Sequence, residues 1–168
     1  MKIPSLRYAL LASLAFLPLA FAQGAQAAAS KCSIQAYDGH FLTAVGGGGR
    51  IVDAIHSDAS RVQAWEIFEV RPFRSDRSKV ALRTSGGFYV TAVGGGGRAS
   101  DVIHTDATTP SRWEQFRLVP LGNQLFAIQT YTGHYLTAQD SGGRITDVIH
   151  SNATQIGNWE KFRIACGF

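Results

Sequence analysis

Past residue 29 the sequence has no apolar run long enough to span a membrane, and no window there shows a helical apolar stripe. It has little net charge. Lysine and arginine total 16 against 12 aspartates and glutamates, a formal +4. Setting aside Lys2 and Arg7 at the N-terminal end leaves +2, which excludes a dedicated nucleic-acid binder. There is no nucleophile elbow, no metal-ligand spacing and no persuasive pair of catalytic acids. These absences argue against an enzyme, and nothing in the chain calls for a cofactor.

Cysteine is scarce too: Cys32 and Cys166 stand alone, near the two ends of the segment that follows residue 29. Residues 1–29 read as a secretory signal peptide, with Lys2 and Arg7 before the apolar Leu10–Phe21 and a small-x-small pattern at Ala25-Gln26-Ala27. That predicts a secreted protein, extracellular or periplasmic, without a membrane span once the signal is cleaved. In such an oxidising compartment the two cysteines are expected to pair, which requires the ends of the domain to meet.

What the chain has in abundance is itself. "SIQAYDGHFLTA" at Ser33–Ala44 matches "ALRTSGGFYVTA" at Ala81–Ala92 and "AIQTYTGHYLTA" at Ala127–Ala138. "DAIHSDA", "DVIHTDA" and "DVIHSNA" follow, and then "WEIFEV", "WEQFRL" and "WEKFRI". Thr43 to Trp65, Thr91 to Trp113 and Thr137 to Trp159 are each 22 residues apart. Three repeats result, at approximately 31–78, 79–124 and 125–168, within a single domain at 30–168.

Each repeat holds four short apolar segments punctuated by Gly, Asp, Ser and Pro, and so predicts four strands, one of them over "IVDAIH". Three units of four strands fit neither an open solenoid, whose ends lie apart, nor a propeller, which takes more blades. The reading that also brings Cys32 to Cys166 is an all-β fold, a β-trefoil with pseudo-threefold symmetry. Phe68, Phe116 and Phe162, with Leu42, Val90 and Leu136, are the expected core.

The repeated polar and aromatic residues are the candidate sites. Trp65, Trp113 and Trp159 read as packing at the base of the barrel, with a sugar-stacking surface as the alternative. Glu66, Glu114 and Glu160 read as structural clamps that accept N–H groups from the glycine loops. Asp53, Asp101 and Asp147 stand three residues after Arg50, Arg98 and Arg144, a spacing suited to a pair across a turn. His56 with Asp58, His104 with Asp106, and His150 with Asn152 suggest one small polar pocket per repeat, suited to sugar hydroxyls. A solvated turn is the competing reading. His40 and His134 read as surface residues, since Phe88 replaces them in the second repeat. One basic stretch, "RPFRSDRSK" at Arg71–Lys79, has no counterpart elsewhere and reads as a linker or as a contact for a protein partner. Asn152-Ala153-Thr154 is an N-glycosylation sequon.

The strings "GHFLTAVGGGG…WEIFEV", "GFYVTAVGGGG…WEQFRL" and "GHYLTAQDSGG…WEKFRI" resemble the units of fascin-like β-trefoil modules over nearly the whole of residues 30–168. A fainter similarity is to mytilectin-type trefoil lectins. These carry a Gly-Gly loop followed by His-x-Asp-x-His, and they bind galactosides there. Gly46-Gly47 with His56 and Asp58, and Gly94-Gly95 with His104 and Asp106, keep part of that pattern; His150 and Asn152 keep less. Ser60 and Thr108 replace its last histidine. The resemblance implies a non-enzymatic carbohydrate-binding module with two or three shallow sites and a glycan or glycoconjugate as partner. The alternative is a protein-binding module, an adhesin or protease inhibitor, facing a host or cell-surface protein. Fascins bundle actin with four tandem cytoplasmic trefoils, an arrangement that a single secreted module does not share.

Overall fold

The computed structural model describes residues 28–168. Most of the expected signal peptide therefore lies outside the described residues. Each repeat forms four strands: β1 (Ser30–Gln35), β2 (Phe41–Ala44), β3 (Ile55–Ala59) and β4 (Ile67–Pro72) in the first. The second has β5 (Val80–Arg83), β6 (Tyr89–Ala92), β7 (Ile103–Ala107) and β8 (Arg117–Gly122). The third has β9 (Leu125–Gln129), β10 (Tyr135–Ala138), β11 (Ile149–Ala153) and β12 (Phe162–Cys166).

The first and last strands of the repeats form a barrel. β1 pairs antiparallel with both β12 and β4, β4 with β5, β8 with β9, and β9 with β12. The remaining gap is closed by reciprocal backbone bonds between Val80 and Phe116, at 2.8 and 2.9 Å. Closure leaves the barrel without a free edge. The middle strands form three hairpins, β2–β3, β6–β7 and β10–β11, each with a register shift at the same place. The architecture is all-β, a β-trefoil.

The core follows the threefold pattern. Phe68, Phe116 and Phe162 are buried, and so are Ile34, Leu82 and Ile128, with Leu42, Val90 and Leu136 from the hairpins. Burying large apolar side chains contributes about 1.5–3 kcal/mol each, and the repeat supplies them in sets of three. Cys32 and Cys166 face each other in the β1–β12 register and are disulfide-bonded, joining the two ends of the domain.

The third strand of each repeat departs from the sequence reading. "IVDAIH" does not start a strand at Ile51; the strand begins at Ile55. Asp53, Asp101 and Asp147 have φ of 53°, 48° and 49°. Aspartate tolerates this left-handed conformation better than a β-branched residue does, so the chain turns there before it pairs.

Candidate functional site

The glycine loops bind each repeat to the next. The Gly86 N–H donates to the Gly47 carbonyl at 2.9 Å, Thr132 to Gly95 at 3.0 Å, and Asp38 to Ser141 at 3.2 Å. A second set reaches the third strand of the following repeat: Gly49 N–H to Thr105 O at 2.6 Å, Gly97 to Ser151 at 2.6 Å, and Gly143 to Ser57 at 2.7 Å. The chain can approach this closely only without a side chain. A Cβ on Gly48 would lie 2.5 Å from the Thr84 hydroxyl oxygen, and equivalents on Gly96 and Gly142 would collide with Thr130 and Asp38. Gly46 differs, for a Cβ there would meet open space. In the third repeat Asp140 and Ser141 take the places of Gly46 and Gly47 at φ of 54° and 75°.

These neighbours explain three departures from expectation. The carboxylates of Glu66, Glu114 and Glu160 are buried, but their donors are not glycine-loop amides; the Gly49, Gly97 and Gly143 N–H groups go to the following repeat. Glu66 instead accepts the Thr43 hydroxyl at 2.8 Å and the Gln63 N–H at 2.8 Å. Glu114 accepts Thr91 and Ser111, and Glu160 accepts Thr137 and Gly157. Second, the tryptophans do not plug the barrel. Trp65, Trp113 and Trp159 are 50%, 48% and 41% exposed. Each sits beside an inward-facing Glu, so its own side chain is turned out, and the phenylalanine three residues later fills the interior. Third, His40 and His134 are more than surface residues. Like Phe88, which approaches the Cβ position of Gly49, they lie against Gly143 and Gly97, the last glycines of the adjoining loops.

The polar pockets are wired differently from the sequence pattern. His56 Nε2 lies 2.7 Å from Asp53 Oδ1, while Arg50 reaches the other carboxylate oxygen at 3.3 Å. His104 with Asp101 and Arg98, and His150 with Asp147, repeat the arrangement. The expected Arg–Asp pairing across the turn is thus present and extends to the histidine. Asp58, Asp106 and Asn152 are exposed on the same strand face as the histidines, two residues on. The turns preceding these strands surround a depression of about 480 Å³ where the three repeats meet, with Val52, Ser100 and Thr146 among its lining.

The outward tryptophans create a feature that the repeat alignment does not disclose. Trp113 Cδ1 and Tyr131 Cδ1 lie within 3.5 Å of one point, the position a Cβ on Gly95 would take. Tyr131 is 46% exposed, and the Arg112 guanidinium stands 6.0 Å from the centre of its ring. The corresponding tyrosine of the first repeat, Tyr37, is also exposed, with Lys161 Nζ 5.9 Å from its ring centre, two residues beyond Trp159. At the boundary between repeats one and two, Trp65 lies beside Gly47, but Ser85 stands in the tyrosine's place. The signal available in the sequence was the pairing of Tyr37 and Tyr131 against Ser85.

Neither a protein-family model nor a curated protein sequence matches the chain. Solved structures do. The Rhizoctonia solani agglutinin superposes with a TM-score of 0.68 at 15% identity, over 83% of this chain and 96% of that one. The protein SeviL, solved bound to the asialo-GM1 saccharide, gives 0.61 at 10% identity, over 84% of this chain and 100% of the other. The BEL β-trefoil gives 0.64 at 10% identity, over 82% and 93%. At these identities the likeness is one of fold.

Proposed function

We propose that this protein is a secreted, non-enzymatic carbohydrate-binding module whose ligands stack at the boundaries between repeats. The observation that carries the reading is the convergence of half-exposed Trp113 and Tyr131 on Gly95, with Arg112 beside them. A pyranose ring offers an apolar C–H face and a rim of hydroxyls. Exposed aromatic rings match the first, and an arginine with nearby backbone groups matches the second. Gly94 is the exposed glycine beside this platform, as Gly46 is at the first boundary, while Gly95 and Gly47 are buried beneath it. By the repeat, exposed Trp159 and Tyr37, with Lys161 beside the Tyr37 ring, occupy the corresponding positions at the boundary between repeats three and one and are taken as the second platform. Weak sites repeated on one rigid body gain avidity on a multivalent glycan surface. The likeness in fold to an agglutinin and to SeviL, solved bound to a saccharide, supports the reading.

A second location stays in view because His56 with Asp58, His104 with Asp106, and His150 with Asn152 recur on exposed strand faces. A glycan array on the wild-type protein, followed by the W113A/Y131A and H104A/D106A variants, separates the two. The reading expects binding to at least one glycan, with a loss of tenfold or more in W113A/Y131A and little change in H104A/D106A. Absence of binding to every glycan by a protein shown to be folded would refute it.

A further inference from the structure

The basic stretch between the first two repeats breaks the threefold pattern and borders a cleft whose rim also includes Ala28 and Ala29 at the end of the expected signal peptide. Arg71, Arg74 and Arg77 line it together with Phe73, Tyr89 and Pro110. Tyr89 is 6% exposed, yet its phenol reaches this cleft. Arg71 Nη1 donates to the Tyr89 oxygen at 3.0 Å. The phenol oxygen is therefore used as an acceptor, and its own O–H proton is left to be given elsewhere. Arg71 is fixed on its other side by Glu69, 3.3 Å from Nε, and Glu69 is shared with Arg83 at 3.5 Å. One carboxylate thus serves two guanidinium groups. Arg74 makes no hydrogen bond or ion pair among the described residues. Asp76 is occupied by Ser78 and Lys79. The cleft retains positive charge, a fixed guanidinium and a nearly buried phenol donor.

We infer that this cleft is an oxyanion subsite and that the protein's glycan ligands carry acidic groups, sulfate esters or carboxylates, which Arg71, Arg74 and the Tyr89 hydroxyl bind. The inference rests on the glycan reading for the identity of the carrier. Arginine suits both oxyanions, because its planar fork donates two parallel bonds. A donated phenol proton adds a directional contact that a diffuse basic surface lacks.

The test uses calorimetric or surface-based binding of dextran sulfate, polygalacturonate and neutral dextran, at low and physiological salt. Preference for either acidic polymer over dextran supports the subsite, and the polymer preferred identifies sulfate or carboxylate as the group. R71Q/R74Q is expected to weaken that binding tenfold or more, and Y89F, which keeps the ring and removes the donor, about three- to tenfold. W113A/Y131A is expected to weaken the acidic and neutral polymers by similar factors, leaving the preference between them unchanged. Equal binding of all three polymers would overturn the inference while leaving neutral glycan recognition intact. So would an R61Q/R163Q control as damaging as R71Q/R74Q, or single-stranded DNA binding as tightly as the acidic glycans. Thermal unfolding of each variant confirms that the losses are not losses of fold. The array on neutral glycans tests the broader reading separately.

Discussion

The Thr43 hydroxyl donates to Oε1 of Glu66 at 2.8 Å, joining residues 23 positions apart, and the same bond recurs between Thr91 and Glu114 and between Thr137 and Glu160. Each carboxylate is nearly enclosed, so each depends on its donors. A buried acceptor deprived of a partner costs about 1–3 kcal/mol, more when it is charged. Thr91→Val is therefore expected to destabilise the protein by at least that amount in urea unfolding. Adding Glu114→Leu to Thr91→Val should recover part of the loss, because the Oε1 left without its donor is gone, less the cost of removing the acceptor of Ser111. Strictly additive effects of the two changes would show that the bond does not couple these residues.

The two glycines at the start and middle of one loop should respond differently to the same change. Gly46 adopts φ of 67° with open space around its missing side chain, so Gly46→Ala carries only the conformational cost of about 1–2 kcal/mol. Gly48 adopts φ of 105°, and its Cβ would press on Thr84. Gly48→Ala is expected to cost clearly more than Gly46→Ala in the same denaturant titration. Equal losses at the two positions would contradict the contact across the repeat boundary.

The disulfide links residues 134 positions apart. In the chain-entropy description, closing so long a loop stabilises the folded state by about 4–5 kcal/mol. Cys32→Ser/Cys166→Ser is expected to fold still, because β1 and β12 are held by their own ladder. It should melt at a markedly lower temperature in a scanning calorimeter, and a reductant should lower the wild-type melting temperature but not that of the variant.

How much of this was visible in the sequence depends on where each contact partner lies along the chain. The repeat exposed the strand count and the buried Phe68, Phe116 and Phe162, since these follow from a pattern written three times, and the lone pair Cys32 and Cys166 pointed independently to closure. The wiring of the polar groups was hidden. His56 and Asp58 are two apart in a strand and share a face, but Asp53 folds its carboxylate back through a left-handed turn and takes the histidine instead. The direction of the tryptophans was hidden as well. Strand alternation does not extend through the short 3₁₀ turn at Ala64–Glu66, where the inward position belongs to the glutamate. The aromatic pairing was least accessible, for Trp113 meets Tyr131 only because the glycine loop of one repeat docks on the first turn of the next.

That docking makes the one boundary without a tyrosine informative. Gly47 lies beside Trp65 and Ser85 as Gly95 lies beside Trp113 and Tyr131. Ser85→Tyr should therefore complete a third platform at the surface, where a larger residue has room to turn outward. Gly47 stays unchanged and the Gly86 N–H keeps its bond to the Gly47 carbonyl, so stability should shift by no more than about 0.5 kcal/mol. If sugars stack at these boundaries, the variant should bind a multivalent glycan surface more tightly than the wild type. Its affinity for a monovalent sugar at the other two boundaries should not change, because only the number of sites has risen. The comparison requires both measurements, on an immobilised glycan and on the free sugar. Unchanged retention on the multivalent surface, with the variant shown to be folded, would place the sugar somewhere other than the aromatic boundaries.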